Sequence, residues 1–148
     1  MRHSPELLCD MLRFLHYHTN FTALSIDIDD FKNINDRHGH LTGDQVLITF
    51  SRICQEEIRQ TDIFARIGGD EFSILLPETS LENTSVFANR LLNRINNTTV
   101  SHKGEKIHFQ ISVGIAAWKP EMADAQDLLV AIDEALYLAK SKGKNQVG

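Results

Sequence analysis

Arg66-Ile67-Gly68-Gly69-Asp70-Glu71-Phe72-Ser73-Ile74-Leu75-Leu76 sets two acidic residues directly after a glycine pair and runs them into an apolar, β-prone segment. Ile63 to Ile67 has the same apolar character ahead of the glycines, so the two runs read as a hairpin. Adjacent glycines predict a tight turn between them, because glycine accepts the positive φ that two-residue hairpin turns require. The acids then stand at the hairpin's tip. A second acidic strand end, Ser25-Ile26-Asp27-Ile28-Asp29, is able to bring another carboxylate to the same spot. Carboxylates converging on exposed backbone point to Mg²⁺ and phosphate chemistry.

Outward from the hairpin, Leu7, Leu8, Met11, Leu12 and Leu15 fall at helical spacing and predict an amphipathic helix over 5–18, packed on the domain or on a neighbouring element. His16-Tyr17-His18 has no completing ligand set and reads as the end of that helix rather than as a metal site. A strand follows over 22–28. A short helix is expected from Asp30, whose side chain suits an N-cap, to the break at Gly39, and Gly43-Asp44 is expected to open the next. In that helix Val46, Leu47, Phe50, Ile53 and Cys54 share one stripe. Pro77 closes the second hairpin strand, and Phe87, Leu91 and Ile95 mark a further helix. Ile107, Phe109, Ile111, Val113, Ile115 and Ala117 alternate without a miss, which predicts one long strand. A final helix is expected from Asp127 to about Lys142, with Gly143 at its end. Helices mixed with an antiparallel hairpin in this way predict one α+β domain, a single sheet covered by helices.

At 148 residues the chain suffices for one domain that buries roughly 70% of its unfolded surface without a metal or disulfide. The formal charge of −5, with only short lysine-rich spots, argues against non-specific nucleic-acid binding and leaves room for a small anionic ligand held by local positive charge. Cys9 and Cys54 form no CxxC pair and fit reduced thiols in a cytoplasmic setting. No apolar run approaches membrane-spanning length, although a membrane-tethered parent protein stays open.

Several motifs in order, Asp27-Ile28-Asp29-Asp30-Phe31-Lys32-Asn33-Ile34-Asn35-Asp36, Gly39-His40, Gly43-Asp44 and Arg66-x-Gly68-Gly69-Asp70-Glu71-Phe72, resemble the GGDEF family of diguanylate cyclases. The resemblance extends through Ser112-Val113-Gly114-Ile115-Ala116 to Asp133-Glu134-Ala135-Leu136-Tyr137-x-Ala139-Lys140-x-Lys142-Gly143-x-Asn145, so it covers about residues 22–146. It implies a palm-like, ferredoxin-like nucleotidyl cyclase fold with a central, mainly antiparallel sheet. It also implies condensation of two GTP into cyclic di-GMP plus two pyrophosphate, in bacterial second-messenger signalling.

Joining two GTP needs a 3′-hydroxyl deprotonated and an α-phosphate neutralised, and two Mg²⁺ ions, or Mn²⁺ in their place, serve both ends. Asp27 and Asp70 are the best ligands, with the Ile28 carbonyl helping. The resemblance gives Asp70 the proton-acceptor role as well and makes Glu71 a supporting ligand. Adjacent strand residues face opposite sides, so Asp70 and Glu71 share a task only if the turn distorts the strand start. Phe31 and Lys32 open the short helix, where free N–H groups and the dipole favour phosphate. The family's lysine at that place stabilises the transition state. Lys140 and Lys144 resemble further phosphate contacts, and equally complement the dipole at a helix C-terminus. Position 144 is more often arginine in the family, and lysine lacks its bidentate fork.

Asn35 and Asp44 are the candidate guanine readers, since a carboxylate accepts from N1–H and the 2-amino group, which adenine does not offer. Their alternative roles are a turn residue and a helix N-cap. His40, between them, matches a family position near substrate. Arg59-Gln60-Thr61-Asp62 sits where the family carries its Arg-x-x-Asp product-inhibition motif, and Arg90 is the candidate second contact, or else a solvated helix arginine.

The family's usual opening, resembling Asp-x-Leu-Thr-Gly-Leu-x-Asn-Arg, has no counterpart before Thr22. Residues 1–21 are therefore expected to be a foreshortened helical lead-in to a catalytic domain over 22–148, with a sensor or dimerisation domain missing from the chain. A product with two equivalent linkages implies two chains facing each other as a homodimer of half-sites. Two other readings stand beside the cyclase: a catalytically silent module that binds GTP or cyclic di-GMP, and, ranked last, a purely structural dimerisation domain.

Overall fold

A computed structural model of the chain describes residues 5–148. In order, the elements are α1 (Pro5–His18), β1 (Phe21–Ile28), α2 (Phe31–His38), α3 (His40–Glu57), β2 (Ile63–Arg66), β3 (Glu71–Pro77), α4 (Leu81–Asn96), β4 (Thr99–His102), β5 (Glu105–His108), β6 (Ile111–Ala117) and α5 (Ala125–Ser141). Four strands form one sheet in the order β2-β3-β1-β6, every neighbouring pair antiparallel, and β4 and β5 pair as a separate two-stranded sheet. This is the α+β architecture that the residue pattern predicts and the mainly antiparallel sheet that the resemblance implies, but the separate β4–β5 pair replaces the single sheet expected.

Strand alternation divides the side chains between two layers of helices. Leu24, Ile26 and Ile28 of β1 and Phe72, Ile74 and Leu76 of β3 face α3 and α4, in a cluster that includes Phe50 and Leu91. Phe21, Ala23 and Leu75 face the other way, with Leu12 and Leu15 of α1 and Leu128 and Ile132 of α5. Phe72 anchors the start of β3. It is 1% exposed and meets Phe50 at 4.7 Å and Phe64 at 5.6 Å between ring centroids, a burial that contributes about 1.5–3 kcal/mol. With Phe72 held inward on one face, Glu71 is turned to the other, the face covered by α5.

Several local expectations are corrected. The glycine pair does not use positive φ: within the described residues only Gly39, Gly104 and Gly143 do so among glycines. The turn is held by the Ile67 and Gly68 N–H groups, both donating to the Glu71 carbonyl. Asp30 makes no side-chain cap and is itself left-handed, with φ 54. Helix α3 begins at His40, ahead of Gly43-Asp44, so Asp44 is not an N-cap. Helix α5 begins at Ala125, capped by the Asp124 carboxylate, rather than at Asp127.

The alternating run Ile107–Ala117 is two strands, broken at Phe109-Gln110, and β4 was not foreseen. The alternation survives the break because Ile107, Phe109, Ile111 and Val113 all enter the same cluster while the chain passes from the small hairpin to the main sheet. Both free cysteines are buried.

Helix α5 lies directly on β6 at Gly114, where a Cβ would stand 2.4 Å from the Leu136 backbone nitrogen and 2.6 Å from the Ile132 carbonyl oxygen. Backbone cannot yield as a flexible side chain can. Gly114→Ala is expected to lose about 1–3 kcal/mol of stability in chemical denaturation. Gly69→Ala, where a Cβ meets nothing within 4 Å, should stay within about 0.5 kcal/mol of wild type.

Candidate active site

The open end of the sheet carries the acids. In the β1–β3 register Asp27 stands opposite Glu71, and directly opposed residues of an antiparallel pair project to the same face. The Ile28 N–H donates to the Asp70 carbonyl at 3.2 Å, which fastens the hairpin tip to the end of β1. Arg66 secures the tip from inside, donating from Nε to the Gly68 carbonyl at 3.0 Å and from Nη2 to the Gly69 carbonyl at 2.7 Å.

Negative charge accumulates here. Burial, then the charge of Asp27, pushes the Asp70 carboxyl above the ordinary carboxylate range. Glu71 is raised in the same way by burial and then by Asp27, Asp133 and Asp70. Asp133, on α5, is raised by burial and by Asp27. Positive charge from Lys140 and Arg66 opposes the rise at Asp70, and Lys140, one helical heptad beyond Asp133, pairs through Nζ with Asp27. Among the described residues no three His, Cys, Asp or Glu side chains are gathered closely enough to hold a metal ion by themselves. The donors that are present are oxygens, and Mg²⁺ usually takes one or two carboxylates plus substrate phosphate, so the set fits that ion only with its nucleotide.

Beside this end, Phe31 and Lys32 open α2. The Ile34 N–H donates to Asp30, so the three N–H groups before it have no helical partner. Phe31 packs on the core, and Lys32 is exposed and pairs with no carboxylate among the described residues. Lys144 pairs with Asp30 at 2.7 Å. Asn35 is half-buried on α2 against Gly43 of α3, next to the exposed Asp44, and His40 is exposed at the first residue of α3. Of the predicted phosphate contacts, Lys140 thus meets Asp27 and Lys144 meets Asp30, while the predicted base contacts lie on α2 and the start of α3.

The predicted product-site residues gather elsewhere. Arg59 donates from Nη2 to Asp62 Oδ1 at 3.1 Å and to Thr79 Oγ1 at 2.7 Å, and its backbone N–H donates to Asp62 Oδ2 at 2.8 Å. Arg90 pairs with Glu57 at 3.2 Å. These residues line one cavity of about 290 Å³ beside Leu76, at the far end of β3 from Glu71 and roughly 20 Å from it by strand rise.

Three contributors were not singled out from sequence. Asp133 opens the last quoted motif but carries no role there, because nothing in a helical pattern shows which polar residue leans over a sheet end. Arg66 belongs to the quoted motif, but its bonds to the turn carbonyls follow only from the folded hairpin. Asp29, 7% exposed, accepts from Ser112 Oγ at 2.6 Å and from the Asn145 N–H at 2.9 Å. It is a structural acid between the half-buried Asp27 and the exposed Asp30, and it secures the turn that carries Lys144.

The sequence matches the family described as "Diguanylate cyclase, GGDEF domain" over residues 5–146. The chain belongs to the GGDEF family. It is 37% identical over 126 residues to Diguanylate cyclase A of Treponema denticola, covering 85% of this chain and 34% of that protein. It is 40% identical over 130 residues to Diguanylate cyclase DosC of Escherichia coli K12, covering 87% and 28%. The chain thus spans about a third of the length of the curated relatives it matches. Its backbone is similar to that of the GGDEF domain of DgcB from Caulobacter crescentus in complex with c-di-GMP, with a TM-score of 0.90 at 25% identity over 99% of this chain and 90% of that one. GGDEF diguanylate cyclases generally use divalent metal ions, in keeping with the oxygen donors at this tip. Among the described residues no helix is long and apolar enough to cross a membrane.

The raised acids give the GGDEF tip a definite pH signature. Asp70 and Glu71 hold their protons to higher pH when folded than when unfolded, so their contribution to stability is full in acid and is lost as pH rises from the ordinary carboxylate range through their raised values. Asp70→Asn removes part of that loss. Without divalent cations its thermal midpoint should match wild type below the ordinary carboxylate range, exceed it as pH rises through that range, and keep a constant margin above the raised value. Parallel curves at every pH would contradict the crowding.

Proposed function

We propose that residues 22–148, behind the lead-in 1–21, form the catalytic domain of a diguanylate cyclase that joins two GTP into cyclic di-GMP and releases two pyrophosphate. The observation that carries this reading is the crowding of Asp27, Asp70 and Glu71 at one sheet end beside Lys32, which has no ion pair among the described residues. That combination suits a polyphosphate bound with its cations, and it gives the fold little in return.

The reaction is an in-line displacement. The 3′-oxygen of one GTP bonds to the α-phosphorus of the other, the bond from that phosphorus to the bridging oxygen breaks, and pyrophosphate leaves with the electron pair. In the proposed roles, Asp70 accepts the proton of the attacking hydroxyl, a task for which a raised pKa makes a carboxylate better matched to neutral pH. Two Mg²⁺ ions, or Mn²⁺, held by Asp27, the Ile28 carbonyl, Asp70 and Glu71, would supply charge neutralisation at the attacking and leaving oxygens.

Lys32 and the free N–H groups at Phe31 and its neighbours hold the β- and γ-phosphates. Lys140 and Lys144 exchange their carboxylate partners for phosphate oxygens as nucleotide enters. Asp44 and Asn35 read guanine, with His40 at the rim. Charge-assisted bonds of about 1.5–3 kcal/mol each would favour GTP over ATP by roughly tenfold or more. Each chain holds one GTP, so the cyclic product needs a second copy facing the first with two-fold symmetry. Arg59, Asp62 and Arg90 bind the product at the remote cavity and restrain turnover, the arginine forks engaging phosphate and the Hoogsteen edge of guanine.

The test is chromatographic detection of cyclic di-GMP and pyrophosphate from concentrated protein with GTP and Mg²⁺. Asp70→Asn should lower turnover by at least about a thousandfold while GTP still binds, a loss within the range seen when an essential catalytic group is removed. Arg59→Ala should turn over normally and escape inhibition by added product. GTP binding with no product at any protein concentration would replace the cyclase with a catalytically silent binding module.

A further inference from the structure

Gly43 is buried at the fourth position of α3, inside a helix and without a positive φ. Glycine is the poorest helix former after proline, so a glycine that uses none of its backbone freedom calls for another reason. The surroundings supply one. A Cβ on Gly43 would stand 1.7 Å from Oδ1 of Asn35, 2.9 Å from its Cγ and 3.3 Å from Cζ of Phe31. The carboxamide of Asn35 therefore fills the space that a side chain at 43 would take. It lies against the backbone of α3 one residue before Asp44.

Shape alone seats it. Among the described residues the Asn35 side chain makes no hydrogen bond, although the residue is half-buried. Oδ1 is the atom seated against Gly43, and the amide nitrogen is left as the donor end for something outside the protein. Helix α2 presents Phe31 and Asn35 on one face, four residues apart, and both rest on the same bare point of α3.

We propose that Gly43 is a positioning residue for base recognition: its missing side chain is the slot that holds the Asn35 carboxamide beside Asp44, so that two polar ends act together on one guanine edge. This rests on the reading of Asn35 and Asp44 as guanine contacts. The slot explains why a poor helix former is kept at a helical position, since a better one would stabilise α3 and expel Asn35. It also assigns specificity to a residue with no side chain to touch the base.

The consequence is separable from folding. The two atoms that a new methyl group would strike within 3 Å belong to the Asn35 side chain, which rotates away, Phe31 Cζ at 3.3 Å has only a few tenths of an ångström to give, and alanine suits the helix better. Gly43→Ala should keep or raise the thermal midpoint. Its affinity for a non-reactive GTP analogue, with methylene in place of the α,β-bridging oxygen, should fall about tenfold in calorimetry with Mg²⁺, the loss of one net hydrogen bond. Affinity for the corresponding ATP analogue should not change.

Asn35→Ala should show a similar loss for the GTP analogue. With the carboxamide gone the slot is empty, so adding Gly43→Ala to Asn35→Ala should change GTP affinity by less than about twofold. A further tenfold loss in that background, or full GTP affinity in Gly43→Ala alone, would overturn the proposal. Full GTP affinity in Asn35→Ala would instead remove the base-recognition reading, and the slot would fall with it.

Discussion

Like charges forced together at one end of an antiparallel sheet are the constraint around which this domain is arranged. The β1–β3 register leaves Asp27 and Glu71 no choice but to share a face, and the hairpin tip fastened to Ile28 brings Asp70 to the same end. Helix α5 crosses that face and adds both Asp133 and Lys140, one raising the negative charge and the other answering it. A sheet end built only for stability would not gather Asp70, Glu71 and Asp133, carboxylates whose ionisation is opposed by burial and by neighbouring negative charge. The cost is tolerated because the remainder of the sheet is covered on both sides by apolar clusters, with Phe72 fixing the strand start next to the acids.

The same economy appears in the last turn of the chain. Asp29 is buried and binds Ser112 and the Asn145 backbone, while the Val113 N–H donates to Gln146 and the Gly148 N–H donates to Val113. These bonds fasten the C-terminal turn to the sheet and so bring Lys144 to Asp30. Three acids within four positions therefore have three duties: Asp27 at the charged tip, Asp29 as an internal strut, Asp30 as a partner for the terminal lysine. At the other end of β3, Arg59 donates to the carbonyl of Pro77, so the strand that begins with Glu71 ends on the cavity of the proposed product site.

Much of this was legible in the residues, and the failures have common causes. Helical stripes such as Phe87, Leu91 and Ile95 located α4 because a buried stripe needs that period, and the hairpin followed from two apolar runs about a polar turn. The uninterrupted alternation of Ile107 to Ala117 misled because alternation reports which face is buried, not which sheet a strand joins. Gly68-Gly69 suggested left-handed backbone, whereas the turn closes on the Glu71 carbonyl without it. The acids of the tip were readable from motif and strand position. Asp133 and the Asn35 slot were not, because each depends on the approach of two helices or of a helix and a sheet, which sequence spacing does not encode.

The central claim is that the acidic tip is electrostatically unfinished and is completed jointly by a divalent cation and a guanine nucleotide. Its most direct measurement is the thermal midpoint of the wild-type protein with Mg²⁺ alone, with a non-reactive GTP analogue alone, and with both. Small shifts from either component and a much larger shift from the pair, lost in Asp27→Asn, would bear the claim out. Stabilisation by the pair no greater than the sum of the separate shifts, or one that survives in Asp27→Asn, would contradict it.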